Sequence, residues 1–391
     1  MKIVLISTLA HNPGDEFIRL GAEQVLRQVF PQAEFRPIHK QDPRTLFAGF
    51  KRRAKTPHRL VSPLLYRFYS AAHGHDEENY LDTADLVVFA GSPFIWRSAT
   101  RLFPSTCANA EWVAPTWSRL FNELEEIPVF NLAAGASAFS PRQFDAVLTD
   151  SKVAGFLRRA VLRTELTTAR DFKTQEILAA LGCQTDVIPC LSLLAAKGAG
   201  LTAGNPEYVV INLMPAAAPS GRAQRGEPSR WLETISAVVP EIEKRHSVMF
   251  VSHFADEHEA AAKYFPGRRR FYSKDPIELM KVYSKAIYGI CNRVHSGAAI
   301  ASFARPVISV GGDFRNRLFE QFGLSSFDHR DLDASKLREI IEMIEGNYDS
   351  YVGVLRDRII YAEREYLRIL SVTPTARRLT STDHRHAPHC C

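Results

Sequence analysis

Arg293 and His295 stand two residues apart in the run Asn292-Arg293-Val294-His295-Ser296-Gly297. A guanidinium presents a planar fork of donors that can grip a phosphate or carboxylate in two places. An imidazole takes up and gives back a proton near neutral pH. Side by side, they suit proton transfer on an anionic substrate. Ser296 and Gly297 follow at the expected opening of a helix, where unpaired N–H groups and the positive end of the dipole favour an anion. Arg170 is a second arginine in a comparable setting, and Asp171 after it would cap a helix or orient the arginine. A plain structural ion pair is the alternative for that pair. For His295 the competing role is a buried histidine bonded to its own turn. Asn12, Asp15, Gly91, Ser92, His253 and Arg315 complete the candidates, with a structural role the simpler reading for His253.

Each candidate falls where an apolar run gives way to a turn. Ile287 to Cys291 is a buried-strand pattern, followed by a helix opening in small residues. The strand that opens the chain, Met1 to Ser7, stops at Thr8 and leads through Asn12-Pro13-Gly14-Asp15 into an amphipathic helix reaching Phe30, with Asp15 as its expected cap and Gly14 supplying unusual backbone angles. Asp85 to Ala90 ends in Gly91-Ser92-Pro93, and Pro128 to Leu132 ends in Ala134-Gly135-Ala136-Ser137. Arg170 and Asp171 close a strand and open the helix Phe172 to Leu181, which stops at Gly182. The segment from Lys197 to Pro206 is rich in glycine and breakers, so it reads as a linker. The pattern then restarts at Tyr208 to Leu213, with further strands at Ser247 to Val251 and Pro306 to Val310. Asp275-Pro276 and Asp333 are helix starts, and a long helix covers roughly Tyr348 to Leu370. Strands alternating with helices in both halves imply two α/β domains with parallel sheets and a cleft between them. The expected division is an N-terminal domain over 1–196, a linker over 197–207, a C-terminal domain with closing helices over 208–372, and a disordered tail over 373–391.

Two domains also fit a length of 391 residues. A net charge of +6 admits an anionic substrate without demanding a polyanion, and no zinc knuckle, aromatic RNA-binding signature or basic helix argues for nucleic acid. The opening residues enter a strand directly, no apolar run is long enough for a bilayer, and the six cysteines lack a framework spacing. A cytoplasmic setting is expected. The basic run Lys51 to Lys55, with Tyr66, Phe68 and Tyr69 after it, reads as a solvated face; peripheral contact with the inner face of the membrane is the other option. His384, His386, His389, Cys390 and Cys391 in the tail suggest adventitious metal affinity rather than a built metal site.

Taken in order, Asn12-Pro13-Gly14-Asp15, Arg170-Asp171 with its helix and Leu181-Gly182, and Arg293-Val294-His295 followed by Ala298-Ala299-Ile300-Ala301 and Arg305-Pro306-Val307-Ile308 resemble the polysaccharide pyruvyl transferase family. The resemblance implies two Rossmann-like domains in a GT-B-like arrangement. It also implies transfer of a pyruvyl group from phosphoenolpyruvate to hydroxyls of a sugar or lipid-linked glycan. Carried over by motif, Arg293 and Arg170 would bind the donor's anionic groups, and His295 would be the general acid or base. No metal or organic cofactor is required by that scheme. Three departures accompany the match: Val187-Ile188-Pro189-Cys190 replaces an Asp-Pro strand end, Arg315 or Arg317 stands near an expected lysine, and the loop after the third strand is only Gly91-Ser92-Pro93. Two other functions stay open at this level. One is a glycosyltransferase using a nucleotide sugar in the same kind of cleft; the other is a non-catalytic glycan-binding relative.

Overall fold

The computed structural model describes residues 1–9, 12–39, 81–90, 93–96, 117, 120–137, 145, 147–214, 230–312 and 314–382. Residues 2–187 supply one parallel sheet, in the order β2 (Glu34–His39), β1 (Lys2–Ser7), β3 (Leu86–Ala90), β5 (Val129–Ser137), β6 (Leu166–Ala169) and β7 (Asp186–Val187), with β4 (Pro93–Trp96) pairing the far end of β5. Residues 208–328 supply the other, in the order β10 (Arg270–Tyr272), β9 (Val248–Ser252), β8 (Tyr208–Asn212), β11 (Ala286–Cys291), β12 (Val307–Gly311) and β13 (Ser326–Asp328). The central strands are near-continuous apolar runs because helices cover both faces of a parallel sheet. β8 is buried at every residue. The direction of winding reverses between β1 and β3 in one sheet and between β8 and β11 in the other, and crevices form beyond the strand ends at such points.

Helix α1 (Pro13–Val29) follows β1. Its cap is Asn12, whose side-chain oxygen accepts from the Gly14 N–H at 3.2 Å, and Pro13 takes the first helical position. Asp15, the cap expected from sequence, instead lies buried in the first turn, and Gly14 is ordinary helix rather than a left-handed turn. Helices α2 (Ser151–Arg163) and α3 (Phe172–Ala180) flank β6. Asp171 caps α3 as expected, bonding the Thr174 N–H at 2.7 Å and its hydroxyl at 3.0 Å. In the second half, α4 (Arg230–Ile242), α5 (Ala255–Tyr264), α6 (Pro276–Tyr283) and α7 (Val294–Ala301) alternate with the strands. All eight residues of α7 are buried, its small side chains letting it lie close to β11 and β12.

After β13 come α8 (Ala334–Gly346) and the long α9 (Tyr348–Ser371), which crosses back to the first half. Glu363 on α9 accepts from Gln28 on α1 at 3.0 Å and pairs with Lys197. Residues 374–382, expected as a structureless tail, form helix α10 (Pro374–Thr382). Local caps account for it: the Thr373 hydroxyl oxygen accepts from the Ala376 N–H at 3.1 Å, while Glu165 accepts from the Thr375 N–H and hydroxyl at 2.8 and 2.6 Å. The rest of the tail, with its histidines and cysteines, and the basic and aromatic run between Lys51 and Tyr69 lie outside the described residues. One apolar core joins the two halves, running from Ile3, Leu5 and Phe17 through Tyr283 and Ile300 to Leu355 and Tyr366. No helix among the described residues is long and apolar enough to cross a membrane.

Candidate active site

The crevice between β8 and β11 is fixed by asparagines at the strand ends. Asn212 donates to the Val251 carbonyl at 3.0 Å and accepts from the Arg293 N–H at 2.9 Å; Asn292 accepts from the Met214 N–H at 2.9 Å. Arg293 caps α7, with its guanidinium 4.4 Å from the Phe254 ring centre and its Nε donating to Glu257. Glu257 is only 1% exposed and also accepts from the His253 N–H at 2.9 Å and the Phe254 N–H at 3.3 Å. Burial pushes its carboxyl upward in pKa and the Arg293 charge opposes that. The carboxylate therefore sets the direction in which Arg293 can reach.

His295 lies one residue inside α7, 9% exposed. Its Nε2 has no hydrogen-bond partner, and its ring packs on the start of α1: a Cβ on Gly14 would come within 2.8 Å of both His295 Cβ and Nδ1. Glycine is required at position 14 for that approach. Burial holds His295 well below the ordinary histidine pKa, reinforced by Arg170, then Arg315, His253 and Arg293. The ring is neutral at neutral pH.

Arg170 is the unusual member. It is 0% exposed, yet none of its three guanidinium nitrogens has a hydrogen-bond partner, and the nearest carboxylate oxygen, on Asp171, is 4.0 Å away. Its side chain lies over Gly135 at the end of β5, where a Cβ would come within 2.2 Å of Nε. Asp171 offsets the charge at ion-pair distance while the guanidinium's hydrogen-bonding capacity is left unused, an arrangement that suits a further acceptor. A cleft of about 190 Å³ lies beside the histidine, lined by Asn12, Gly14, His253, Arg293, His295, Arg315 and Asn316 among others. The chemistry available is the binding of a small anion by arginines beside a neutral proton carrier.

Residues 12–313 match the family described as polysaccharide pyruvyl transferase. The chain belongs to that family. Arg170, Arg293 and His295 all lie inside the matched span, and this pyruvyl transferase family member is accordingly a transferase with a sugar acceptor. A search of the curated proteins found no match. Among solved structures, MnaA from S. aureus, determined with UDP, superposes with a TM-score of 0.56 at 12% identity over 95% of this chain and 96% of that one. The UDP-GlcNAc 2-epimerase from Neisseria meningitidis, bound to UDP-GlcNAc, gives 0.53 at 9% identity over 99% and 100%. At such identities the likeness shows the fold, which is GT-B-like, as the sequence motifs imply.

The remaining candidates divide. Asn12 and Arg315 line the cleft with His295, and so does His253. His253 Nε2 is shared between the Tyr283 hydroxyl at 2.8 Å and the Ser296 hydroxyl at 3.0 Å, while Nδ1 has no partner. Ser296 thus points into the protein at His253. Gly297 sits against Phe319 and Val307, where a Cβ would come within 2.9 Å, and Asp15 is buried in the first turn of α1; neither borders the cleft. Gly91 and Ser92 lie outside the described residues. Glu257 was the residue missed. The sequence carried no capping-box signal for it, because Phe254 at the cap position has no side-chain acceptor.

Proposed function

We propose that the protein moves the pyruvyl group of phosphoenolpyruvate onto hydroxyls of a sugar, in a cell-surface polysaccharide or a lipid-linked glycan precursor. The observation that carries this reading is the buried Arg170 guanidinium, without hydrogen bonds, acting on a histidine whose Nε2 has no hydrogen-bond partner. Size is compatible with the same donor: about 190 Å³ beside His295 accommodates a three-carbon phosphate ester.

In this scheme Arg293 in the cleft takes an anionic group of the donor and the buried Arg170 adds positive potential beside His295, together withdrawing density from the enol carbon. His295 starts neutral, so its first task is to accept the proton of the attacking hydroxyl. The donor's negative charges beside the ring raise its proton affinity, and the protonated ring then serves as the acid for the methylene carbon. The balance closes as diol plus phosphoenolpyruvate giving ketal plus phosphate: one hydroxyl proton ends on the new methyl group and the other on the released phosphate. Arginines holding the departing phosphate stabilise charge that develops in that step.

The test is incubation of the purified chain with phosphoenolpyruvate and a panel of galactosides, mannosides and amino-sugar glycosides, following phosphate release and product mass. Sugar-dependent phosphate release with a matching mass gain is expected. Tight binding of a nucleoside diphosphate, with no response to phosphoenolpyruvate, would replace this reading with a glycosyltransferase.

A further inference from the structure

A second cleft of about 420 Å³ opens beyond the end of β12, and it shares Gly311, Gly312 and Asn316 with the smaller cleft beside His295. Asn316 divides the two. It is 5% exposed, its carbonyl oxygen accepts from the Ser309 hydroxyl at 3.3 Å, and its Nδ2 has no hydrogen-bond partner. That nitrogen lies against Gly311, where a Cβ would come within 1.8 Å. A buried amide donor left unpaired costs free energy, so an arrangement that preserves one at a cleft wall is explained by a ligand that accepts from it.

The rest of the larger cleft differs in character from the smaller one. Phe314 offers an aromatic surface with the Arg317 guanidinium 4.9 Å from its ring centre, and Arg330 Nε donates to Asp328 at 2.9 Å. Among the described residues Glu320 completes the charged groups, so two arginines face two carboxylates. The arginines whose charge acts on His295, namely Arg170, Arg315 and Arg293, are on the other side. A diphosphate gains nothing from a balanced wall. An uncharged polyhydroxylated ring does, because its C–H face packs on an aromatic ring while its hydroxyls satisfy amide, carboxylate and guanidinium groups.

We propose that this larger cleft is the acceptor subsite and binds an uncharged hexopyranosyl ring, with the hydroxyls to be modified reaching His295 past Gly311 and Gly312. The direction of those hydroxyls rests on the pyruvyl-transfer reading; the binding of the sugar does not. The subsite places the sugar and the anionic donor on opposite sides of Asn316.

Ligand-observed NMR on the full chain without donor tests it, using methyl glycosides of galactose, glucose, mannose and N-acetylglucosamine, with UDP as the competing probe. At least one glycoside is expected to bind, and Asn316→Leu and Arg317→Gln should each weaken it about tenfold. Arg317 is exposed, so its substitution reports on the cleft even where the Asn316 variant fails to fold. Failure of every glycoside to bind, glycoside binding indifferent to both substitutions, or UDP binding lost on them would overturn the subsite. A chain that binds the glycoside here and releases no phosphate from phosphoenolpyruvate would overturn the pyruvyl reading and leave the subsite standing.

Discussion

Arg170 costs the folded protein stability where it sits, because a buried guanidinium without hydrogen bonds has surrendered its hydration. Replacing it with methionine relieves that cost but leaves the buried Asp171 carboxylate without its 4.0 Å ion-pair partner, so the two effects oppose and stability should change by less than the ~3–5 kcal/mol of breaking a well-bonded buried pair. The same change should lower kcat/KM for phosphoenolpyruvate more than about hundredfold, since the loss of a buried charge partner costs ~2–5 kcal/mol. Urea unfolding and steady-state kinetics on one preparation check both halves; destabilisation with full activity would assign Arg170 to structure alone. Glu257 acts through Arg293, so Glu257→Gln is expected to raise KM for the donor about tenfold with a smaller change in kcat. A fall in kcat at constant KM would place its effect elsewhere. Both residues show where sequence stops being informative. Arg170 was visible as a candidate from its strand-to-helix setting, but its lack of hydrogen-bond partners inside the fold is a tertiary fact. Glu257 was not singled out, because its grip on a residue 36 positions later leaves no local trace.

At the level of elements, the site depends on the first turn of α1 lying against the first turn of α7. Gly14 is the point of contact, and Phe17 one turn further packs edge-on to His253 with ring centres 5.7 Å apart. Gly14→Ala should displace His295 or shift α1, lowering kcat at least about tenfold and costing roughly 1–3 kcal/mol, the usual price of forcing a methyl group into a filled space. Kinetics and thermal unfolding of that variant measure both, and wild-type values for both would show that the two helices have room to spare. The alternation of strands and helices was legible throughout because buried parallel strands are short apolar runs and caps mark the helix starts. The cap of α1 was misassigned because Asn12 and Asp15 are both good caps; Pro13, which prefers the first helical position, decides for Asn12. Helix α10 was missed because its anchor, Glu165, is 210 residues away in sequence.

Across the whole molecule, the two sheets are joined by a common core rather than by the linker alone, with α1, α6, α7 and α9 contributing to it. Burying histidines in that arrangement gives stability a pH dependence. His253 and His295 are both held well below the ordinary histidine pKa, chiefly by burial. Below about pH 6.5 the unfolded chain binds protons at these two positions that the folded chain refuses, so stability falls as pH drops; above it their contribution is flat. Urea unfolding between about pH 5 and 8 should show this slope, and His253→Gln should flatten it. Stability that rises on acidification would contradict the burial of both rings. The central claim is that the cleft lined by Arg293 and His295, with the buried Arg170 adding its charge from outside the lining, binds phosphoenolpyruvate. Calorimetric titration of phosphoenolpyruvate into the wild-type chain and into Arg170→Met tests it most directly: saturable binding is expected for the first, weakened about hundredfold or more in the second. Absence of binding to the wild type, or equal affinity for both, would contradict it.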